Sequence, residues 1–206
     1  MSHPASKLRI AVVTGSRAEF GLLAPVMRAI RGHPMLELLT VAAGSHYMPP
    51  AFTHRDVEAE FVVDASVPMQ DADDARTGAG GGNGGRGRAA DALSLGRGVC
   101  GFAAAFDRLM PAWVVVLGDR IEAFAAASAA AIAGIRVAHI HGGDRAEGIA
   151  DESMRHAITK LAHLHFTATA ESALRVLRMG EPSETIHVVG SPAIDGIGDI
   201  APMSDA

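Results

Sequence analysis

The chain has 206 residues, 49% of them hydrophobic, with 23 acidic against 18 basic side chains and a formal net charge of -5. That is enough for one domain with a full core and too little for a second of equal size, and the acidic balance argues against a nucleic-acid surface, which needs clustered Lys and Arg. One cysteine, Cys100, excludes an internal disulfide and a cysteine-rich metal site. Neither a signal-like apolar core in MSHPASKLRI nor an apolar run near the ~20 residues of a membrane span is present, so a cytoplasmic protein without a membrane partner is expected.

In chain order, Arg9 to Val13 reads as a first strand, Thr14 to Arg17 as its exit loop, and Phe20 to Ile30 as an amphipathic helix ended by Gly32. Leu36 to Val41 forms a second strand running into Ala42-Ala43-Gly44-Ser45-His46, and Phe61 to Val63 a short third. The stretch from Asp71 to Arg88, DADDARTGAGGGNGGRGR, offers no large apolar anchor and many glycines, and is expected to be a flexible surface loop. Leu93 to Leu109 reads as a helix, with Cys100 a small buried hydrophobe in it. Trp113 to Leu117 is the next strand, Arg120 to Ala133 a helix, Arg136 to Ile140 a strand and Asp151 to Leu164 a helix. His165 to Thr169, Glu171 to Met179 and Thr185 to Val189 complete the series as strand, helix and strand. Strictly alternating strands and helices predict an α/β fold, a doubly wound parallel sheet of Rossmann-like form.

In such sheets chemistry lies beyond the carboxyl ends of the strands. Two buried runs end in ionisable loops, Gly118-Asp119-Arg120 and His141-Gly142-Gly143-Asp144. Asp119 follows its strand through one glycine and suits either catalysis or the cap of the next helix. Glu122 falls in that helix's first turn, where the dipole favours a carboxylate or a capping partner. His139 and His141, two apart on a strand, face one side. Asp151 and Glu152 open a helix whose core stripe is Met154, Ile158 and Leu161, leaving Arg155, His156 and Lys160 nearer its margins. In those first turns Arg155 and His156 could meet a diphosphate beside free backbone N–H groups, or Arg155 could pair with Asp151. Arg17 and Glu19 occupy the loop after the first strand, and Arg17 has the planar fork that suits phosphate. GSRAEFG lacks the G-x-G-x-x-G pattern, which disfavours NAD. His163 and His165 could join His139 and His141 around a zinc only if three or four ligands converged, which His-x-His pairs on parallel strands do not guarantee, and no metal is expected.

GDRIE, HIHGGD, DESMRHAITKLAHLHF and GSPAID, preceded by GSRAEFGLLAPVMRAI and AAGSHYMPP, resemble the hydrolysing UDP-N-acetylglucosamine 2-epimerases of sialic and legionaminic acid biosynthesis. The resemblance implies the N-terminal domain of a GT-B fold, with the nucleotide-binding half absent and supplied by a homo-oligomer or a partner chain. It implies elimination of a nucleoside diphosphate from a UDP- or GDP-linked N-acetylhexosamine, followed by hydration, without a cofactor. Asp119, Glu122, Asp144 and Asp151, helped by His141, are the implied acid and base groups. Arg17 and Arg155, with His156, would address the diphosphate, and His46 the sugar or its N-acetyl group. Members vary in the HIHGGD segment, several having glutamate where this chain has His141 or Asp144. Two other readings stand beside this one: a non-catalytic truncated domain that binds a partner or a sugar nucleotide weakly, and a glycosyltransferase half-domain working with a separate nucleotide-binding subunit.

Overall fold

The computed structural model describes residues 6–70, 85–145 and 149–195, with the side chains of 85–88 and 149–151 left aside. Seven strands form one parallel sheet in the order β3-β2-β1-β4-β5-β6-β7. They are β1 (Leu8–Thr14), β2 (Leu36–Ala43), β3 (Val63–Val67), β4 (Trp113–Leu117), β5 (Arg136–Ile140), β6 (Leu164–Thr167) and β7 (Ile186–Val188). The helices are α1 (Arg17–Gly32), α2 (His54–Glu58), α3 (Gly85–Leu109), α4 (Ile121–Ile132), α5 (Ile149–Leu161) and α6 (Ala170–Arg178). The doubly wound Rossmann-like sheet expected from the alternation is therefore present. Strand order reverses at β1, which pairs with β2 on one side and β4 on the other, and this places a crevice at their carboxyl ends.

Alternate residues of each strand feed two cores. Ala11, Val13, Val41, Val114, Val116 and Val137 meet α3, α4 and α5 through Phe102, Phe106, Ala126, Ala130 and Ile158, while Ile10, Val12, Val115 and Leu117 meet the stripe of α1. Beside α1 on that second face, the sheet borders an open apolar groove of about 500 Å³ between Ile30, Trp113, Val115, Ile140, Phe166 and Pro192. No helix among the described residues is long and apolar enough to cross a membrane.

Some elements differ from the sequence reading. Helix α3 begins at Gly85, so Gly85 to Arg88 are helical where a loop was expected; residues 71–84 lie outside the described residues. Glycine costs about 1 kcal/mol in a helix, but once Phe102 and Phe106 anchor α3, each further residue adds a hydrogen bond without new nucleation. Cys100 is exposed on α3, not buried, because the helix turns Phe102 and Phe106 to the sheet instead. β3 starts two residues later than expected. Phe61 leaves the sheet to pack edge-on against Phe20 of α1, and Val62 is exposed. Helix α2, five residues long, carries too little periodicity to be seen in sequence.

Candidate active site

Two linked clusters of ionisable groups lie at the strand ends. The first begins at Gly118, whose positive φ of 72° turns the chain after β4. Its N–H donates to Ile140 O at 2.9 Å, and its carbonyl accepts from Nε2 of the fully buried His139 at 2.7 Å. Burial pushes the His139 imidazole down to about 3, so it is neutral and acts as a strut between β5 and the turn. The turn aims Asp119, which pairs with the Arg155 guanidinium of α5. Arg155 also donates through Nη1 to the His141 carbonyl at 2.9 Å. Arg155 is thus buried and turned towards the strand ends, not at the helix margin, and its partner is Asp119. The side chain of Asp151, and hence any pairing with it, lies outside the described residues.

His141 has φ 65°, a left-handed conformation costing a non-glycine residue about 1–3 kcal/mol and often found at functional sites. Its N–H to Phe166 O and its carbonyl to Arg155 hold it there. Nδ1 lies 3.2 Å from Asp144 Oδ2, while Asp144 Oδ1 accepts from Ser172 Oγ at 2.6 Å. Burial, opposed by the Asp144 carboxylate, lowers the His141 pKa and favours the neutral imidazole, with Nδ1 facing Asp144 and Nε2 buried on the other side of the ring. That nitrogen has no hydrogen-bond partner among the described residues.

The second cluster straddles the crevice. Glu122 is fully buried. Its Oε1 accepts from Ser45 N at 3.1 Å, Ser45 Oγ at 2.8 Å and Arg120 Nη2 at 3.1 Å. Glu19, from the first turn of α1, is only 4% exposed, and its Oε2 accepts from Gly15 N at 2.8 Å. Burial first, and the Glu122 carboxylate second, push the Glu19 carboxyl up to about 8, so it is protonated at neutral pH. Burying such a group costs roughly as much as one or two docked side chains contribute, at about 1.5–3 kcal/mol each. The Leu23, Met27 and Ile30 stripe therefore suffices to keep α1 in place.

Other expected site residues are placed differently. Arg17 is the first residue of α1 rather than part of a loop, its side chain 79% exposed and 3.4 Å from Asp56. His46 is fully enclosed, with Nε2 2.9 Å from Thr14 Oγ1 and Nδ1 2.8 Å from Thr53 Oγ1. Desolvation lowers its pKa to about 4, and with both nitrogens engaged it has none to offer a sugar. His156, one residue from Arg155, sits about 100° round the helix on its exposed face, away from Asp119. Asp119 does not cap α4: the cap is Arg120, without a side-chain bond. Among the described residues no three His, Cys, Asp or Glu side chains converge on a metal position. Glu19, Arg120 and Ser45 were not singled out from sequence. A signal for Glu19 existed, since it falls with Leu23, Met27 and Ile30 on one stripe, an acidic residue at an apolar position.

Residues 28–205 match the family described as UDP-N-acetylglucosamine 2-epimerase. The UDP-N,N'-diacetylbacillosamine 2-epimerase (hydrolyzing) of Legionella pneumophila is 36% identical over 192 residues, which cover 92% of this chain and 47% of that protein. The UDP-N-acetylglucosamine 2-epimerase of Neisseria meningitidis serogroup B is 34% identical over 188 residues, 91% of this chain and 46% of that one. Among solved structures, the UDP-GlcNAc 2-epimerase from Neisseria meningitidis bound to UDP-GlcNAc aligns with a TM-score of 0.77 at 22% identity, over 93% of this chain and 48% of that chain. A UDP-glucosyltransferase from Polygonum tinctorium aligns with a TM-score of 0.56 at 16% identity, over 98% and 56%. At such identities the structural likeness concerns the fold alone, and it agrees with the expected similarity to the N-terminal domain of a GT-B protein. The chain spans about half the length of the curated relatives it matches. With the family match running over most of its length and two relatives above 30% identity, the chain belongs to the UDP-N-acetylglucosamine 2-epimerase family.

Proposed function

We propose that the chain is the N-terminal half of a hydrolysing nucleotide-sugar 2-epimerase, converting a UDP- or GDP-linked N-acetylglucosamine to N-acetylmannosamine and nucleoside diphosphate. The observation that supports this most is the continuous chain Asp119–Arg155–His141–Asp144 along the carboxyl ends of β4 and β5, beside the strand-order reversal. The C2 proton of an N-acetylhexosamine is weakly acidic, so the route needs a base, an acid and cations for a departing diphosphate in a sheltered cleft. The base removes the C2 proton, the C1–O bond breaks with its electron pair leaving on the diphosphate, and a C1–C2 double bond forms. Water then adds, its oxygen to C1 and a proton to the opposite face of C2.

In this chain His141 supplies a neutral imidazole beside the Asp144 carboxylate, while Asp119, held beside Arg155, supplies a carboxylate of different environment. Two proton-transfer groups with different surroundings are what an elimination followed by a hydration requires. The resemblance also assigns Asp151, near the start of α5, to the carboxylate set. Arg155 addresses the diphosphate, and its buried Nε has no hydrogen-bond partner among the described residues. Arg17 meets the same group on ligand binding only by leaving Asp56, a step made cheap by its exposure. A coupled assay for nucleoside-diphosphate release, run with UDP- and GDP-linked N-acetylglucosamine, tests the reading. Release accompanied by N-acetylmannosamine is expected with one of the two. Release accompanied by N-acetylglucosamine of retained configuration would mark a simple hydrolase and refute it.

A further inference from the structure

Glu122 stands apart from the other acidic groups at the strand ends. Its side chain has no exposure, three donors converge on Oε1, and Oε2 is buried without a hydrogen-bond partner among the described residues. The chain is shaped around it. A Cβ at Gly15 would lie 2.6 Å from Glu122 Cβ and Cγ, and one at Gly44, where φ is 50°, would lie 2.4 Å from Cγ and Oε1. Glu19 shares this packing through its bond to the Gly15 N–H. A carboxylate closed in by two backbone turns is poorly placed to reach a sugar carbon.

Arg120 is held differently. Its Nη2 donates both to Glu122 Oε1 and to Ser45 Oγ at 2.9 Å, while 43% of the side chain remains exposed. Arg120 follows β4 and Ser45 follows β2, and β1 lies between those two strands in the sheet. The guanidinium therefore bridges the carboxyl end of β1, where strand order reverses, and its described hydrogen bonds use only one of its three nitrogens.

We infer that Glu122, with Glu19 at its side, is a positioning residue that stretches Arg120 across the end of β1 as a contact for the substrate's diphosphate. The inference rests on the nucleotide-sugar reading and moves Glu122 out of the acid–base set. The charged and titratable groups around the pair are Glu19 from α1, Asp119 and Arg120 from the β4–α4 turn, and His46 from the β2 turn, which is neutral at the pH of interest. Because Glu19 is protonated, one net negative charge rather than two lies under the guanidinium. Ionising Glu19 adds a second and opposes an incoming anion.

The test is a titration of the isotopically labelled chain with millimolar UDP, followed through backbone amides at Gly15, Gly44 and Gly118 and the Arg side-chain Nε–H resonances. Arg120→Ala and Glu122→Gln are each expected to weaken UDP binding about tenfold, as loss of a charge-assisted contact does, and the double variant no further than either alone. Wild-type affinity should also fall as pH rises through about 8, where UDP keeps a constant charge, and Glu19→Gln should abolish that limb. The non-additivity of the Arg120 and Glu122 variants is what a purely structural Glu122 would not produce. If UDP binds at the strand ends and Arg120→Ala leaves affinity unchanged, the positioning inference is overturned and the nucleotide reading stands. If UDP moves none of these resonances in the wild type, the nucleotide reading falls and takes the inference with it. Should Glu122→Gln fail to fold, the exposed Arg120→Ala and the pH limb of Glu19→Gln still decide.

Discussion

Replacing Glu19 by Gln should stabilise the protein at neutral pH, and the size of the gain follows from the Glu19 carboxyl. Its pKa is about 8 in the fold against 4.5 ordinarily. Between those values the folded state keeps a proton that the unfolded chain has released. The folded state thus binds more protons there, and linkage makes stability fall as pH rises from about 4.5 to about 8, levelling off above. Each pH unit inside the window is worth about 1.4 kcal/mol, so Glu19 costs about 3 kcal/mol at pH 7 relative to acid conditions and about 5 kcal/mol once the window is crossed. Glutamine has the same shape, its side-chain oxygen can still accept from the Gly15 N–H, and it does not titrate. Urea unfolding of wild type and Glu19→Gln at integral pH values from 5 to 9 isolates the effect, because every other titrating group is common to both. The difference should be under about 1 kcal/mol at pH 5, grow to about 3 kcal/mol at pH 7 with unchanged m-value, and resist added salt because the site is buried. Parallel pH profiles would refute the reasoning, showing that Glu19 is ionised in the fold or already relieved by water. A stability penalty held at a strand-end crevice is the kind that function retains.

Gly44→Ala places a Cβ against Glu122 at a positive φ, whereas at Gly118 φ is also positive but nothing lies within 4 Å; Gly44→Ala should therefore lose at least about 2–3 kcal/mol in urea unfolding and Gly118→Ala about 1, and equal losses would remove the close packing around Glu122. Asp119→Asn leaves the Arg155 guanidinium without its carboxylate, so about 2–4 kcal/mol of stability should go, and in the epimerase turnover should fall at least about 100-fold; retained activity would take Asp119 out of the site. In heavy water the product should acquire deuterium at C2, seen by proton NMR or mass spectrometry, since elimination discards the original proton, and full retention of hydrogen would reject the mechanism. His46→Gln should lower the melting temperature without changing the affinity of the chain for UDP, given that both ring nitrogens are spent inside the fold; a selective loss of affinity would return His46 to the binding surface.

What the sequence determined by itself was local and repetitive. Apolar runs such as Trp113 to Leu117 and Arg136 to Ile140 became strands with those same limits, because a buried parallel strand needs only unbroken hydrophobicity and two flanking turns. Their order, alternating with helices, sufficed for a doubly wound sheet, and it put the loops GDR and HGGD together at the carboxyl ends of β4 and β5. Boundaries of weak periodicity failed: α2 is too short to show a period, and the glycines at 85 and 87 masked the start of α3. Partnership was out of reach as well. The pairing of Arg155 with Asp119, 36 residues distant, came only from α5 bringing its guanidinium to the ends of β4 and β5. His46 looked like a loop histidine free for a ligand, yet Thr14 and Thr53 closed on it from two other elements. Glu122 read equally well as acid, base or cap. Its burial under Gly15 and Gly44 depends on three strand ends meeting, with Ser45 bonding it from 77 residues away in sequence, and a carboxylate's chemistry follows from that enclosure, not from its neighbours in the chain.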